Sequence, residues 1–240
     1  MLGPTIERLR SAALESHDAA GYFAAMYARV TDRVQTAIDE GRFGDGIGMA
    51  RFATVFADWY LGPRDGSRRR PACWTAADDV SGDGRLLIVQ HLLLGINAHV
   101  NHDLPQVVVE LAGGDVELES LRSDFDAIND ILAETQPAIL RDLGRVAGWT
   151  QIAVSSGGGR VFGFSLGRAR AQAWEAARRL HGLDPDTRAA DAGELDRLVA
   201  VLAHVVASPS APIRWLLTIP RWLEHDDPQV VTRRLLGHLA

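Results

Sequence analysis

Apolar side chains recur at steps of three and four residues along almost the whole 240-residue chain, while the two-residue alternation of a half-buried strand is scarce. A chain with that period buries its apolar surface by packing helix against helix. The spacing predicts a helix through Tyr22, Phe23, Met26, Val30, Val34 and Ile38, opened by Asp18 as N-cap and stopped at Gly41. A second is expected from about Ile47 to Leu61, with Phe52, Val55, Phe56, Trp59 and Tyr60 inward. Gly62-Pro63 should end it, because proline disfavours a helical conformation in the residue before it. The most apolar element runs from Arg85 to about His102, and Pro105 should end or kink it. Further helices are expected over Gln106–Leu111, Leu118–Val146 with a kink at Pro137, Leu166–Leu180, Gly193–Ala207, Ile213–Leu223 and Pro228–Leu239. In the Gly193 helix the inward stripe reads as Leu195, Leu198, Val199, Leu202 and Val206. Thr150–Val154 and Val161–Phe164 are the only strand-like stretches. No repeat and no long linker divides the chain, so the expected fold is one all-α, multi-helix domain of seven to nine helices over residues 1–240.

All 25 basic side chains are arginine. Without lysine, Schiff-base and pyridoxal-phosphate enzymes and phosphate-loop NTPases are excluded, because each needs a particular ammonium group. Acid–base work falls to imidazoles and carboxylates. The single cysteine, Cys73, has no internal disulfide partner and is expected as a buried thiol beside Trp74. A net charge of −6 argues against general nucleic-acid binding, and Arg68-Arg69-Arg70 reads as a solvated loop. Met1–Arg10 lacks the apolar core of a signal peptide. The longest apolar run, Leu86–Val100, is broken by Gln90, His91, Asn97 and His99, so no membrane span and a cytoplasmic location are expected.

That apolar helix carries the informative polar groups. At about 100° per residue, taking His91 as zero, His102 falls near 20°, His99 near 80° and Asp103 near 120°. Three imidazoles and a carboxylate would share one sector. A buried polar group without a partner costs roughly 2–7 kcal/mol, so apolar packing alone gives no reason for them. Three readings follow. In a structural one, His99 and Asn97 are satisfied core groups, with His102 and Asp103 at an exposed helix end. In a metal reading, His99 and Asp103 ligate zinc or non-haem iron, with His91 or His102 as a third ligand. In a metal-free reading, His99 is a general acid or base, Asp103 orients its ring and Asn97 polarises a carbonyl.

The stretch Leu93-Leu94-Gly95-Ile96-Asn97-Ala98-His99-Val100-Asn101-His102-Asp103-Leu104 resembles the L-L-G-x-N-A-H-x-N-x-D-L signature of an uncharacterised bacterial helical family, a domain of unknown function. Supporting similarities are Met26 to Thr31 with Gly41-Arg42-Phe43, Arg51-Phe52 through Phe56 to Leu61, and Pro71 with Trp74. Asp124-Phe125 with Ile128-Asn129, and Arg170 through Ala173-Trp174, extend the resemblance over roughly residues 20 to 180. It implies a helical fold with Asn97, His99 and Asp103 in the characteristic motif. His91 and His102 stand outside its fixed letters, and it implies no activity.

Other candidates are weaker. Asp58, among Phe56, Trp59 and Tyr60, is a pocket carboxylate or a core partner of Arg51. Asp124, Asp126 and Asp130 either add to a metal site or form a solvated face. Arg170 and Trp174 are spaced to stack. Gly163-Phe164-Ser165-Leu166-Gly167 spells a nucleophile elbow but lacks the α/β context that motif needs. The expected function is an enzyme acting on a small, largely apolar molecule between helices, with His99, Asp103, Asn97 and Asp58 at the site. The chemistry would be acid–base or assisted by a divalent metal such as zinc or iron, of hydrolase, cyclase or isomerase type. The alternative is a non-catalytic helical module binding a ligand or protein, with a structural His/Asn/Asp cluster.

Overall fold

A computed structural model describes residues 1–113, 116–147, 158–209, 221–224 and 227–237, with residues 158–165 described by backbone only. The helices are α1 (Gly3–Glu15), α2 (Ala20–Asp39), α3 (Gly46–Asp65), α4 (Ala72–Asp78), α5 (Ile88–Ala98) and α6 (Leu104–Leu111). Then follow α7 (Arg122–Val146), α8 (Gly158–His181), α9 (Pro185–Ala207) and α10 (Pro228–Leu235). A π-helical turn, His99–Asp103, joins α5 to α6. Counted as one helix, they bring the total to nine among the described residues, with no strand, so the domain is all-α.

The α5–α6 rod is the axis of the molecule. On one side α2 packs along α5 and α3 along α6, with α8 lying against α6 and the π turn. On the other, α9 and α4 cover α5. Gly95 on α5 permits the close approach of α2: a Cβ there would lie 2.5 Å from the Phe23 ring. One apolar cluster joins Phe23, Tyr27, Tyr60, Trp74, Leu92 and Leu94, and a second joins Phe52, Leu104, Val108, Phe125, Ile131 and Trp174. The π turn lies between them.

The helix starts follow local chemistry. Asp18 accepts the Ala20 N–H at 2.9 Å and holds Ser81 as well, and Gly41 leaves α2 at φ 69°. Four expectations change. Pro63 does not stop α3, which continues to Asp65 and closes at Gly66 with φ 81°. Pro105 sits in the first turn of α6, where its missing N–H is tolerated because the π turn before it has already shifted the bonding register. Val161–Phe164 belongs to α8, so the G-x-S-x-G spelling has no strand before it. In α9 the inner face is Asp196, Val199 and Ala203, whereas Leu198 and Leu202 are 58% and 50% exposed. The expected stripe is rotated because Asp196 and the Val199 carbonyl bond the α4 and α5 side of the core. Thr150–Val154 and most of Ile213–Leu223 lie outside the described residues.

Candidate functional site

In the π turn the Leu104 N–H reaches back five residues to the His99 carbonyl. Such bulges re-aim side chains inside an otherwise regular helix and recur at functional sites. Here the turn centres on Asp103, which is 0% exposed. Its Oδ2 accepts from Trp74 Nε1 at 2.9 Å and from His99 Nδ1 at 2.9 Å, and its Oδ1 pairs with His102 Nδ1 at 2.8 Å. Burial alone would raise its pKa, but the bonds from His102 and His99 outweigh that and hold the carboxyl below the usual range. Burial pushes the His99 imidazole down and overrides its attraction to Asp103. A carboxylate only accepts, so each Nδ1 carries a hydrogen and the Nε2 of neutral His99 bears a lone pair.

His99 is 3% exposed and sits in a cage of rings. Phe56 stacks on it at 3.6 Å and 6°, Tyr27 meets it edge-on at 4.5 Å and Phe23 at 5.4 Å. Among the described residues its Nε2 has no hydrogen-bond partner. The ring forms part of the wall of a cavity of about 400 Å³ between α2, α3, α5, α7 and α8. The other side chains with polar groups on that wall are Tyr27, Thr31, Asn129, Thr135, Gln136 and Arg170; the rest of the wall is mainly aliphatic and aromatic. Arg170 is 4% exposed and makes no ion pair among the described residues. Its Nε donates to Asn129 at 2.8 Å, one Nη donates to the Phe125 carbonyl at 2.6 Å, and burial holds its pKa at about 10.

His102 faces the other way, into a separate pocket of about 300 Å³ walled by Trp59, Arg68, Arg69, Gln106 and Asp196. Asp103 therefore holds two imidazoles by their inner nitrogens, and the two rings help to line different spaces.

A family model described as a family of unknown function, DUF5995, matches residues 4–209. The chain belongs to the DUF5995 family. No curated protein and no solved structure matches it. Family membership carries no activity, so the DUF5995 site is read from its geometry.

Of the residues singled out in sequence, His99 and Asp103 are brought into direct contact, and His102 joins them through Asp103. Asn97 points elsewhere: its Nδ2 donates to the Val199 carbonyl at 2.9 Å and its Oδ1 accepts from Asn101, linking α5 to α9. Asp58 lines neither cavity and pairs at 2.7 Å with Arg8, not with Arg51. His91 packs edge-on against Tyr22, and its burial pushes the imidazole down to about 4. The expected metal set of His99, Asp103, His91 and His102 does not assemble; no three of them bring ligand atoms within 4.8 Å of one another. The reason is the central placement of Asp103, whose oxygens are occupied by three N–H groups.

Asp124 accepts the backbone N–H groups of Gly44 and Asp45, Asp126 pairs with Arg122 in solvent, and Asp130 is exposed. Arg170 lies over Phe125, and it is Arg122 that stacks on Trp174. Arg68 covers Trp59 and pairs with Glu110, so the basic run is partly neutralised. Three site residues had no signal as such in the linear reading: Trp74 as donor to Asp103, Arg170 as a cavity cation, and Asp196. The last was detectable in principle as a carboxylate on the same helical face as Val199 and Ala203.

Proposed function

We propose that this DUF5995 protein is an acid–base enzyme acting on a small, largely apolar molecule bound in the 400 Å³ cavity. One observation carries the reading: a buried, neutral imidazole on the cavity wall with its Nδ1 bonded to a buried carboxylate and its Nε2 without a partner. An orphaned buried nitrogen lone pair is destabilising unless something supplies a proton or donor. A substrate O–H, an activated C–H or a water molecule would do so. His99 would then take the proton, and Asp103 would fix its tautomer and stabilise the imidazolium that forms. The aromatic cage keeps the ring in one orientation, and the apolar wall accepts hydrocarbon. Arg170 supplies the one buried cation on the wall among the described residues, suited to an acidic or carbonyl group on the same molecule. Metal assistance is not needed for this step.

The test has a binding arm and a catalytic arm. Decanoate and decanol are titrated against a fluorescent apolar probe in wild type and in Arg170→Gln; both should displace it, with decanoate favoured in wild type and the preference lost in the variant. Turnover is then screened on acyl esters and enolisable ketones with apolar chains of matched length. Activity should vanish in His99→Gln. Exclusion of both ligands by folded wild type, or turnover indifferent to His99→Gln, contradicts the reading. Binding with no turnover on any substrate supports the second reading, a non-catalytic ligand-binding module, which the predominantly apolar wall also favours.

A further inference from the structure

Across Asp103 from the cavity, Cys73 on α4, His102 in the π turn and Asp196 on α9 converge, all three buried. One ligand atom from each lies within 4.8 Å of the others. We propose that these three residues bind a divalent metal ion of the zinc type, in a site separate from the His99 cavity.

Four features support this. The first is the donor set: one thiol, one imidazole and one carboxylate are the groups that zinc takes in sites that keep a fourth position open. The second is the orientation of His102. Its Nδ1 donates to Asp103 at 2.8 Å, leaving Nε2 as the available ligand atom. A carboxylate behind a ligating imidazole is the usual arrangement around bound zinc, where it fixes the tautomer and raises the basicity of the ligand nitrogen. The third is the way Asp196 is held. Its two oxygens accept the backbone N–H groups of Ala72 at 2.8 Å and Cys73 at 2.9 Å, which ties α9 to the chain that bears the thiol. Those two bonds account for the carboxylate, but not for the thiol and imidazole brought to the same point.

The fourth feature is the space beside the cluster. His102 and Asp196 both line the 300 Å³ pocket, so a bound ion would have room for water or an exogenous ligand at its fourth position. On the same wall, among the described residues, the Gln106 Nε2 is buried without an acceptor and Arg69 makes no ion pair. These are donors suited to an anionic or carbonyl ligand on the ion. On metal binding the Sγ–H proton leaves to solvent and the thiolate takes its place as ligand, replacing the thiol's hydrogen bond to Asp196.

Cobalt(II) tests the proposal directly, since Cys73 is the only cysteine in the chain. Metal-free wild type is titrated with cobalt(II) while near-ultraviolet and visible absorbance are recorded. The expected result is one equivalent bound, a thiolate-to-cobalt charge-transfer band, and visible bands of tetrahedral strength. Zinc should displace the cobalt. Cys73→Ser should lose the charge-transfer band, and His102→Gln and Asp196→Asn should each weaken affinity at least about tenfold. His17→Gln, remote from the cluster, should leave binding unchanged. Circular dichroism accompanies each variant, and one that fails to fold is set aside, because the wild-type spectrum alone decides whether the thiolate is a ligand. Folded wild type that binds no cobalt at one equivalent, binds it without a charge-transfer band, or loses no affinity in folded His102→Gln overturns the proposal.

Discussion

Replacing Asp103 with asparagine keeps the shape of the side chain and removes what the π turn is built around. The carboxylate receives three N–H groups, from Trp74 and His99 on one oxygen and from His102 on the other. Hydrogen bonds to a charged group contribute about 1.5–3 kcal/mol each, and neutral ones about 0.5–1.5 kcal/mol. With the amide oxygen turned toward Trp74 and His99, those two bonds fall to the neutral range, a loss of roughly 1 kcal/mol apiece. The amide NH2 then faces the His102 Nδ1–H, donor against donor, until that ring changes tautomer. Losing the third bond brings the sum to about 3–5 kcal/mol, the range found when one partner of a buried ionic network is removed. For a chain of this size that lowers Tm by about 6–20 °C. Thermal and urea unfolding followed by circular dichroism measure it. A loss below about 1 kcal/mol would refute the network, because no arrangement of an asparagine here preserves three strong accepted bonds.

Three further outcomes follow. Gly95→Ala should gain about 1 kcal/mol from helix propensity. The new Cβ would lie 2.5 Å from Phe23 Cγ and Cδ2 and 2.7 Å from its Cβ, so overpacking of about 1–3 kcal/mol should reverse the sign; net stabilisation in chemical denaturation would refute that close approach. His91 stays neutral when folded, with burial holding it at about 4 against 6.5 when unfolded, although the Asp83 backbone and the Asp83 and Asp18 charges favour protonation and Arg221 opposes it. Its share of stability is present above pH 6.5 and is lost as pH falls toward 4, about 3 kcal/mol in all. His91→Gln should flatten stability against pH in that window, and an unchanged slope would contradict the burial. Arg170→Met leaves the Phe125 carbonyl and Asn129 Oδ1 without their donor, at a cost of about 1–3 kcal/mol by urea unfolding; a stability equal to wild type would show that the clamp between α7 and α8 is unimportant.

The helical class, most helix positions and the His99–Asp103 pair were legible in the sequence, because both depend on short-range spacing. An i,i+4 pair is in reach whether the turn is regular or widened, so the bond survived an incorrect assumption about regularity. The π turn itself was not legible, since an apolar period has no term for a five-residue hydrogen bond. The direction of each imidazole depended on that turn and on Trp74, 29 residues away in sequence from Asp103. Asn97 and Asp58 line neither cavity; their partners, Val199 and Arg8, are tertiary neighbours that no local pattern identifies. Cys73, His102 and Asp196 are likewise assembled only by the packing of α4 and α9 on the rod.

Everything proposed for the cavity rests on a neutral His99 whose Nδ1 carries the hydrogen and whose Nε2 does not. Two-bond nitrogen–proton correlation NMR on histidine-labelled protein at neutral pH reads that tautomer directly, with His99→Gln assigning the signal. The expected result is a protonated Nδ1 at His99 and an unprotonated Nε2 whose shift moves when decanoate is added. An imidazolium, or a hydrogen on Nε2 with Nδ1 bare, would contradict it.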